Sequence, residues 1–219
     1  MFARIEEIGI IPAVRTSSAA DALFASESVL ESGIPVVEIT MTTPGALEVI
    51  RQLARTSSDA IVGAGTILDL ETARACLDAG ASFLTSTGLD LEFVHFALQH
   101  NTSVIPGTLT PSEVMVAKKA GCTFTKIFPC ASLGGPSYIR ALRGPFPHMK
   151  LIASGGVTQQ NASDFIRCGS NALGIGQELL PGEAIFTRNS NWIHELSRRF
   201  IDMVKQARNS KPSNGPARK

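Results

Sequence analysis

Short apolar runs recur along the chain, and each is followed by a stretch where apolar and polar residues alternate at helical spacing. The runs are "IGIIPAV" (8–14), "IPVVEIT" (34–40), "AIVGAGT" (60–66), "SFLTS" (82–86), "TSVIPG" (102–107), "CTFTKIF" (122–128), "MKLIAS" (149–154) and "NALGIG" (171–176). Their centres lie about 21 to 26 residues apart, the length of a strand plus a returning helix. Most are apolar on both faces, as strands buried in a parallel sheet are. Helix boundaries fall between them. Ser18 with Asp21 makes a capping-box signature, and Gly33 closes that segment. Thr43–Pro44 and Thr110–Pro111 read as N-caps followed by proline at the first helical position. Asp69, Asp90 and Thr158 are further N-cap candidates, and Gly80, Gly121 and Gly169 end three helices. Trp192, Ile193, Leu196, Phe200, Met203 and Val204 form an apolar stripe that predicts a long amphipathic helix over 189–210. The eight units share layout but little residue identity. The pattern predicts an α/β fold, a single-domain TIM (β/α)8 barrel over residues 1–208 with an extra C-terminal helix, and a doubly wound open sheet is the alternative. Residues 209–219, containing "KPSNGPARK", have the composition of a disordered tail.

Composition removes several function classes. Of 219 residues, 44 % are hydrophobic and 18 % charged, enough apolar material for one sizeable core. A formal net charge of +1 without a dense basic face argues against nucleic acid and against an anionic membrane surface. No apolar stretch reaches the length of a membrane-spanning helix, and "MFARIEEIGIIPAVR" does not read as a signal peptide, its apolar run being short and preceded by acidic residues. Cys76, Cys122, Cys130 and Cys168 show no CxxC or metal-ligand spacing and read as free thiols of a cytoplasmic protein. No metal or cofactor is expected.

In a barrel, functional groups gather where strands end and the following loops begin. Arg15, Glu38, Thr40, Thr66, Ser86, Thr108, Lys126, Ser154 to Gly156 and Gly176 to Glu178 all occupy such positions. Two of them are charges inside apolar strands. Lys126 shares a strand face with Phe124 and Phe128, and Glu38 shares one with Val36 and Thr40. A buried ion pair that only fixes packing is one reading, although such pairs are weak stabilisers. An amine nucleophile beside a general acid/base is the other. An apolar pocket in general disfavours an ammonium and exposes the neutral amine that attacks a carbonyl. "SGGVT" (154–158) and "GIGQE" (174–178) place glycines after the seventh and eighth runs, where barrels often hold anions. "VGAGT" does not fit the dinucleotide fingerprint. The four histidines, His95, His100, His148 and His194, lie away from strand ends and read as surface or packing residues, as do Lys118 and Lys119.

With these residues in place, the chain resembles the class I aldolases that cleave 2-keto-3-deoxy-6-phosphogluconate (KDPG) or 4-hydroxy-2-oxoglutarate (KHG) to pyruvate. The likeness spans about residues 5–185 and rests on "VEIT", "VGAGT", "IPG", "KIFP" and "SGGVT" in that order and spacing. The resemblance implies a Schiff-base role for Lys126 and general acid/base work for Glu38. It implies that Thr66 holds the pyruvyl carboxylate, that Phe128 and Pro106 wall the pocket, and that Gly155 and Gly156 bind the distal phosphate where the substrate has one, with Gly176 of the eighth run a further substrate-binding candidate. It implies a homotrimer, with pyruvate and an aldehyde, or their aldol, as small-molecule partners, glyceraldehyde 3-phosphate or glyoxylate being the aldehydes. Three positions depart from the family pattern. Thr42 stands where gluconate-type relatives carry arginine, which leaves Arg15 as the carboxylate-binding cation; Thr87 replaces a pocket proline; and "GIGQELL" replaces the Gly-Ser of phosphate users, bringing in Glu178. A Schiff-base oxaloacetate decarboxylase and a non-catalytic sugar-phosphate-binding barrel are the competing readings.

Overall fold

The computed structural model describes residues 1–57 and 59–210. Nine parallel strands alternate with helices: β1 (Ile10–Val14), β2 (Val36–Thr40), β3 (Ile61–Ile67), β4 (Phe83–Ser86), β5 (Ser103–Ile105), β6 (Gly107–Thr108), β7 (Phe124–Ile127), β8 (Lys150–Ser154) and β9 (Ala172–Ile175). Their order is β5-β4-β3-β2-β1-β9-β8-β7-β6, so the two ends of the sheet are consecutive in the chain and meet at Pro106. The sheet thus wraps into a nearly closed barrel of eight staves, and the open-sheet alternative is excluded. The fifth predicted run is split rather than continuous. Pro106 has no N–H to give the ladder, and beyond it the Gly107 N–H turns to the Ser86 hydroxyl at 3.3 Å. The Pro106 carbonyl accepts from Lys126 N at 2.9 Å, which holds β7 against the break.

The helices are α1 (Phe2–Ile8), α2 (Ala19–Glu31), α3 (Ala46–Thr56), α4 (Leu70–Asp78), α5 (Leu91–Gln99), α6 (Pro111–Lys119), α7 (Pro136–Arg143), α8 (Ala162–Arg167), α9 (Gly182–Phe186) and α10 (Ser190–Asn209). Several predicted caps are present: Ser18 accepts from Asp21 N, Asp69 from Thr72 N and Asp90 from Glu92 N, while Thr110 and Glu113 complete a capping box. Two are corrected. Helix α3 starts after Gly45 rather than at Pro44, because the Thr43 hydroxyl accepts from Thr16 N at 3.3 Å and ties the loop to β1 instead. Helix α8 starts after Asn161, because the Asn161 side chain takes up the Thr158 N–H and donates to the Gly156 carbonyl, spending four residues on a turn.

A further helix, α1, was not legible as one. It is only 7 residues long, too short to be stable alone. It forms because Ile5 is wholly buried under the barrel, with Phe2 and Ile8 packed beside it, and burying one such side chain contributes about 2 kcal/mol. Arg208 on α10 donates to the carbonyls of Glu6 and Glu7, each at 2.6 Å, which satisfies the end of α1. The amphipathic C-terminal helix is present and runs through Asn209, with Ser210 capping it. The rest of the predicted disordered tail lies outside the described residues. No helix among the described residues is long and apolar enough to cross a membrane.

Candidate active site

The barrel interior is built by strand alternation. One apolar residue from each stave forms a plug above α1: Ile11, Val36, Ile61, Phe83, Ile105, Phe124, Ile152 and Ala172. Two residues further along each strand the inward face carries Ala13, Glu38, Gly63, Thr85, Gly107, Lys126, Ser154 and Gly174. Five of these eight are glycine, alanine or serine, so the interior is left open and the two long charged side chains have room. Above them a cavity of about 440 Å³ opens at the carboxyl ends of the strands. A larger cleft of about 590 Å³ lies at the opposite end, between α1, α8 and α10, and no lysine and no strand-borne carboxylate line it. Volume alone does not mark the site; the strand ends do.

Lys126 and Glu38 meet in this cavity. Lys126 Nζ lies 3.4 Å from Glu38 Oε1, with the two residues only 6 % and 3 % exposed. The lysine Nζ is 5.6 Å from the Phe128 ring centroid, so one side of the amine faces an aromatic wall. The carboxylate lies across Gly65: a Cβ there would sit 2.3 Å from Glu38 Oε1, and only glycine allows the approach. Thr66 follows with φ 60, a left-handed conformation that β-branched residues rarely adopt. The strand register slips between Ala64 and Ile67, and this irregularity re-aims Thr66 into the cavity. Strain of this kind persists only where the surroundings enforce it, and it gathers at functional sites.

Most of the predicted residues come together. Arg15, Thr66, Phe128, Gly155, Gly156 and Gly176 line the same cavity as Lys126 and Glu38, as do Thr87 and Glu178. Arg15 has no hydrogen bond or ion pair with the described residues. Thr42 does not line the cavity; it is exposed and shares a 3.0 Å hydrogen bond with the Thr40 hydroxyl. Pro106 also stays out of the lining, serving β7 through its carbonyl instead. Thr108 turns to the Thr125 hydroxyl at 2.9 Å, and Ser86 to the Gly88 carbonyl at 2.7 Å. None of the histidines lines the cavity.

Sequence reasoning did not single out Ala13 or Thr85, and it reached Gly174 only as part of "GIGQE". Thr85 lines a small void beneath the ion pair, and its buried hydroxyl has no partner among the described residues. The signal was available: all three occupy the inward position two residues beyond the apolar plug. Cys130, two residues past Phe128, is buried, and burial pushes its thiol up to about 12. It therefore stays protonated at neutral pH and does not compete as a nucleophile. Cys76 and Cys122 are likewise raised by burial, to about 12 and about 11. Among the described residues no cluster of three or more histidine, cysteine, aspartate or glutamate side chains is placed to hold a metal ion.

Comparison with known proteins bears on this arrangement. The family described as "KDPG and KHG aldolase" matches residues 1–196. The chain belongs to that family. It is 32 % identical over 204 residues to the 2-dehydro-3-deoxy-phosphogluconate aldolase of Pseudomonas aeruginosa, covering 92 % of each chain. It is 29 % identical over 196 residues to the KHG/KDPG aldolase of Escherichia coli strain K12, covering 90 % of this chain and 92 % of that one. Among solved structures, KDPG aldolase from Legionella pneumophila, with pyruvate captured as a covalent carbinolamine, superposes with a TM-score of 0.84 at 31 % identity, over 89 % of this chain and 95 % of that one. The barrel is thus a class I aldolase, a carbon–carbon lyase acting on small molecules.

Proposed function

We propose that this aldolase cleaves a 2-keto-4-hydroxy acid to pyruvate and an aldehyde, with Lys126 as the Schiff-base amine and Glu38 as the proton carrier. The observation that carries the assignment is the 3.4 Å contact between Lys126 Nζ and Glu38 Oε1 at the floor of the cavity. The amine of Lys126, relieved of its proton by Glu38, adds to the C2 carbonyl, and that proton is returned to the carbinolamine hydroxyl, which leaves as water to give an iminium. The C4 hydroxyl gives its proton to the Glu38 carboxylate, directly or through one water, as the C3–C4 bond breaks. The bonding electrons flow into the iminium, leaving an enamine, and the aldehyde departs. Glu38 returns the proton to C3, and water hydrolyses the pyruvyl imine to free Lys126. Arg15 and Thr66 hold the C1 carboxylate, Phe128 covers the imine, and Gly155, Gly156 and Gly176 border the distal end. The pyruvyl half is common to 2-keto-3-deoxy-6-phosphogluconate and 4-hydroxy-2-oxoglutarate, so the mechanism serves either acid.

The enzyme is further proposed to be a cytoplasmic homotrimer. Four free, buried cysteines support a reducing compartment. The outward side chains of Leu68 and Phe186, 73 % and 87 % exposed, supply apolar surface that assembly would cover. Light scattering behind size exclusion reads the oligomer directly.

Borohydride reduction in the presence of pyruvate, followed by intact mass and peptide mapping, tests the chemistry. The expected result is one covalent adduct on Lys126 that is absent from Lys126→Met. A folded protein that gives no adduct at saturating pyruvate overturns the lyase assignment and leaves a barrel that binds without turnover.

A further inference from the structure

The Schiff-base reading leaves one buried hydroxyl without a task, and that hydroxyl lies under the reacting pair. Thr85 on β4 is 1 % exposed and faces into the barrel at the level of Glu38 and Lys126. Its Oγ1 has no hydrogen-bond partner among the described residues. The other buried threonines of the strands use their hydroxyls within the barrel wall. Thr40 donates to the Val14 carbonyl at 3.1 Å, Thr125 donates to the Pro106 carbonyl at 2.9 Å, and Thr108 shares a bond with Thr125. Packing gives no reason for a threonine at position 85, since valine has nearly the same shape and strand preference without a hydroxyl to desolvate.

The hydroxyl borders a small cavity of about 10 Å³, room for a single water and for nothing larger. Ile11, Ile105 and Ile152 give the cavity apolar walls, and Glu38, Lys126 and Ser154 supply polar ones beside Thr85. A water there has the handful of polar partners that buried waters take. Glu38, Lys126 and Ser154 also line the large cavity, whereas Thr85 does not, so the small one lies on the far side of the pair from the substrate. The chemistry asks for a donor at that place. Glu38 is 3 % exposed, and Lys126 is its one hydrogen-bond donor among the described residues. An ammonium carries several N–H groups and a protonated imine a single one, so turnover strips donors from a buried carboxylate while substrate fills the space above it.

We propose that Thr85 is a positioning residue: it anchors one buried water that donates to the Glu38 carboxylate from below and keeps it aimed at the substrate through the proton transfers. The water accepts from the Thr85 hydroxyl, makes and breaks no covalent bond, and stays in place throughout the cycle. This rests on the lyase reading above and adds a residue to it. The experiment follows loss of the pyruvate methyl protons in D2O by NMR, the C3 step that Glu38 serves. Wild type, Thr85→Val and Thr85→Ser are compared. Rates are taken per site that pyruvate and borohydride label in the same preparation, so any difference in folded protein cancels.

Thr85→Val is expected to lower kcat for exchange by on the order of tenfold, as loss of one hydrogen bond to a charged group would. The KM for pyruvate is expected to hold, because Thr85 does not line the substrate cavity. Thr85→Ser returns the hydroxyl without the methyl and is expected to recover most of the loss. A crystal structure of the wild type is expected to show a water within hydrogen-bond reach of both Thr85 Oγ1 and Glu38. An unchanged kcat in Thr85→Val, a rise in KM instead of a fall in kcat, no recovery in Thr85→Ser, or a wild-type crystal structure without that water overturns the proposal. Borohydride labelling of the wild type with pyruvate separates the two failures. A labelled Lys126 alongside any of those results sinks the role of Thr85 alone, whereas no label sinks the lyase reading and this proposal with it.

Discussion

Removing one member of the Lys126–Glu38 pair tests whether the two charges are coupled energetically as well as placed side by side. At 3.4 Å, and with the effective dielectric of about 20 that suits protein sites, their attraction is about 5 kcal/mol before desolvation is charged against it. Both groups lost hydration on burial, which takes back most of that gain. Lys126→Met keeps the length of the side chain and deletes the ammonium, leaving Glu38 as a charge that is 3 % exposed. Losing one partner of a sealed pair costs 3–5 kcal/mol. Here the cavity above the pair admits water, so a loss of about 1–3 kcal/mol is expected. Glu38→Gln in the Lys126→Met background removes the stranded carboxylate and should recover most of it. The assay is urea unfolding of wild type, both single variants and the double variant, followed by circular dichroism, with the coupling energy taken from the cycle. A coupling below about 0.5 kcal/mol, within the usual additivity error, would refute the claim that the pair interacts in the folded protein.

Three further outcomes follow from particular contacts. Gly65→Ala places a Cβ 2.3 Å from Glu38 Oε1 and should cost about 1–3 kcal/mol while slowing pyruvate trapping, checked by thermal unfolding and by borohydride capture rate. Thr66→Gly relieves a φ of 60 and should raise the urea midpoint by an amount worth roughly 1 kcal/mol, while weakening pyruvate capture through loss of the hydroxyl. Glu6 is held below its ordinary value, first by its hydrogen bond from Lys150 and also by Asn171. A carboxylate with a lowered folded pKa stabilises above its unfolded value near 4.5 and loses that contribution as pH falls through the folded value. Unfolding at acid pH should therefore begin earlier in wild type than in Glu6→Gln when each is referenced to its own stability at pH 7, and parallel curves would count against the linkage.

Much of the architecture was readable before any coordinates. Eight apolar runs at near-constant spacing, most followed by a capped helical pattern, specify a parallel α/β sheet because strands buried on both faces need apolar residues throughout, and their number favours closure into a barrel over an open sheet. A lone Lys126 and a lone Glu38 then stand out, since an interior strand carries a charge only at a cost. The elements that were missed are those whose formation is non-local. Helix α1 is too short to declare itself and exists because the open end of the barrel buries Ile5. The starts of α3 and α8 moved because Thr43 and Asn161 found hydrogen-bond partners that caps alone do not reveal.

The sequence by itself determined the fold class, the two charged residues and the strand ends at which chemistry sits, because periodicity and burial preference are local properties of the chain. Only the tertiary structure decided that Lys126 and Glu38, 88 residues apart in the chain, lie 3.4 Å from one another. It also decided that Arg15 rather than Thr42 borders the cavity, and that Glu178 lies at its outer edge. The reason is geometric. Strand alternation says which face a side chain takes, but the stagger and closure of the barrel set which inward residues reach one another.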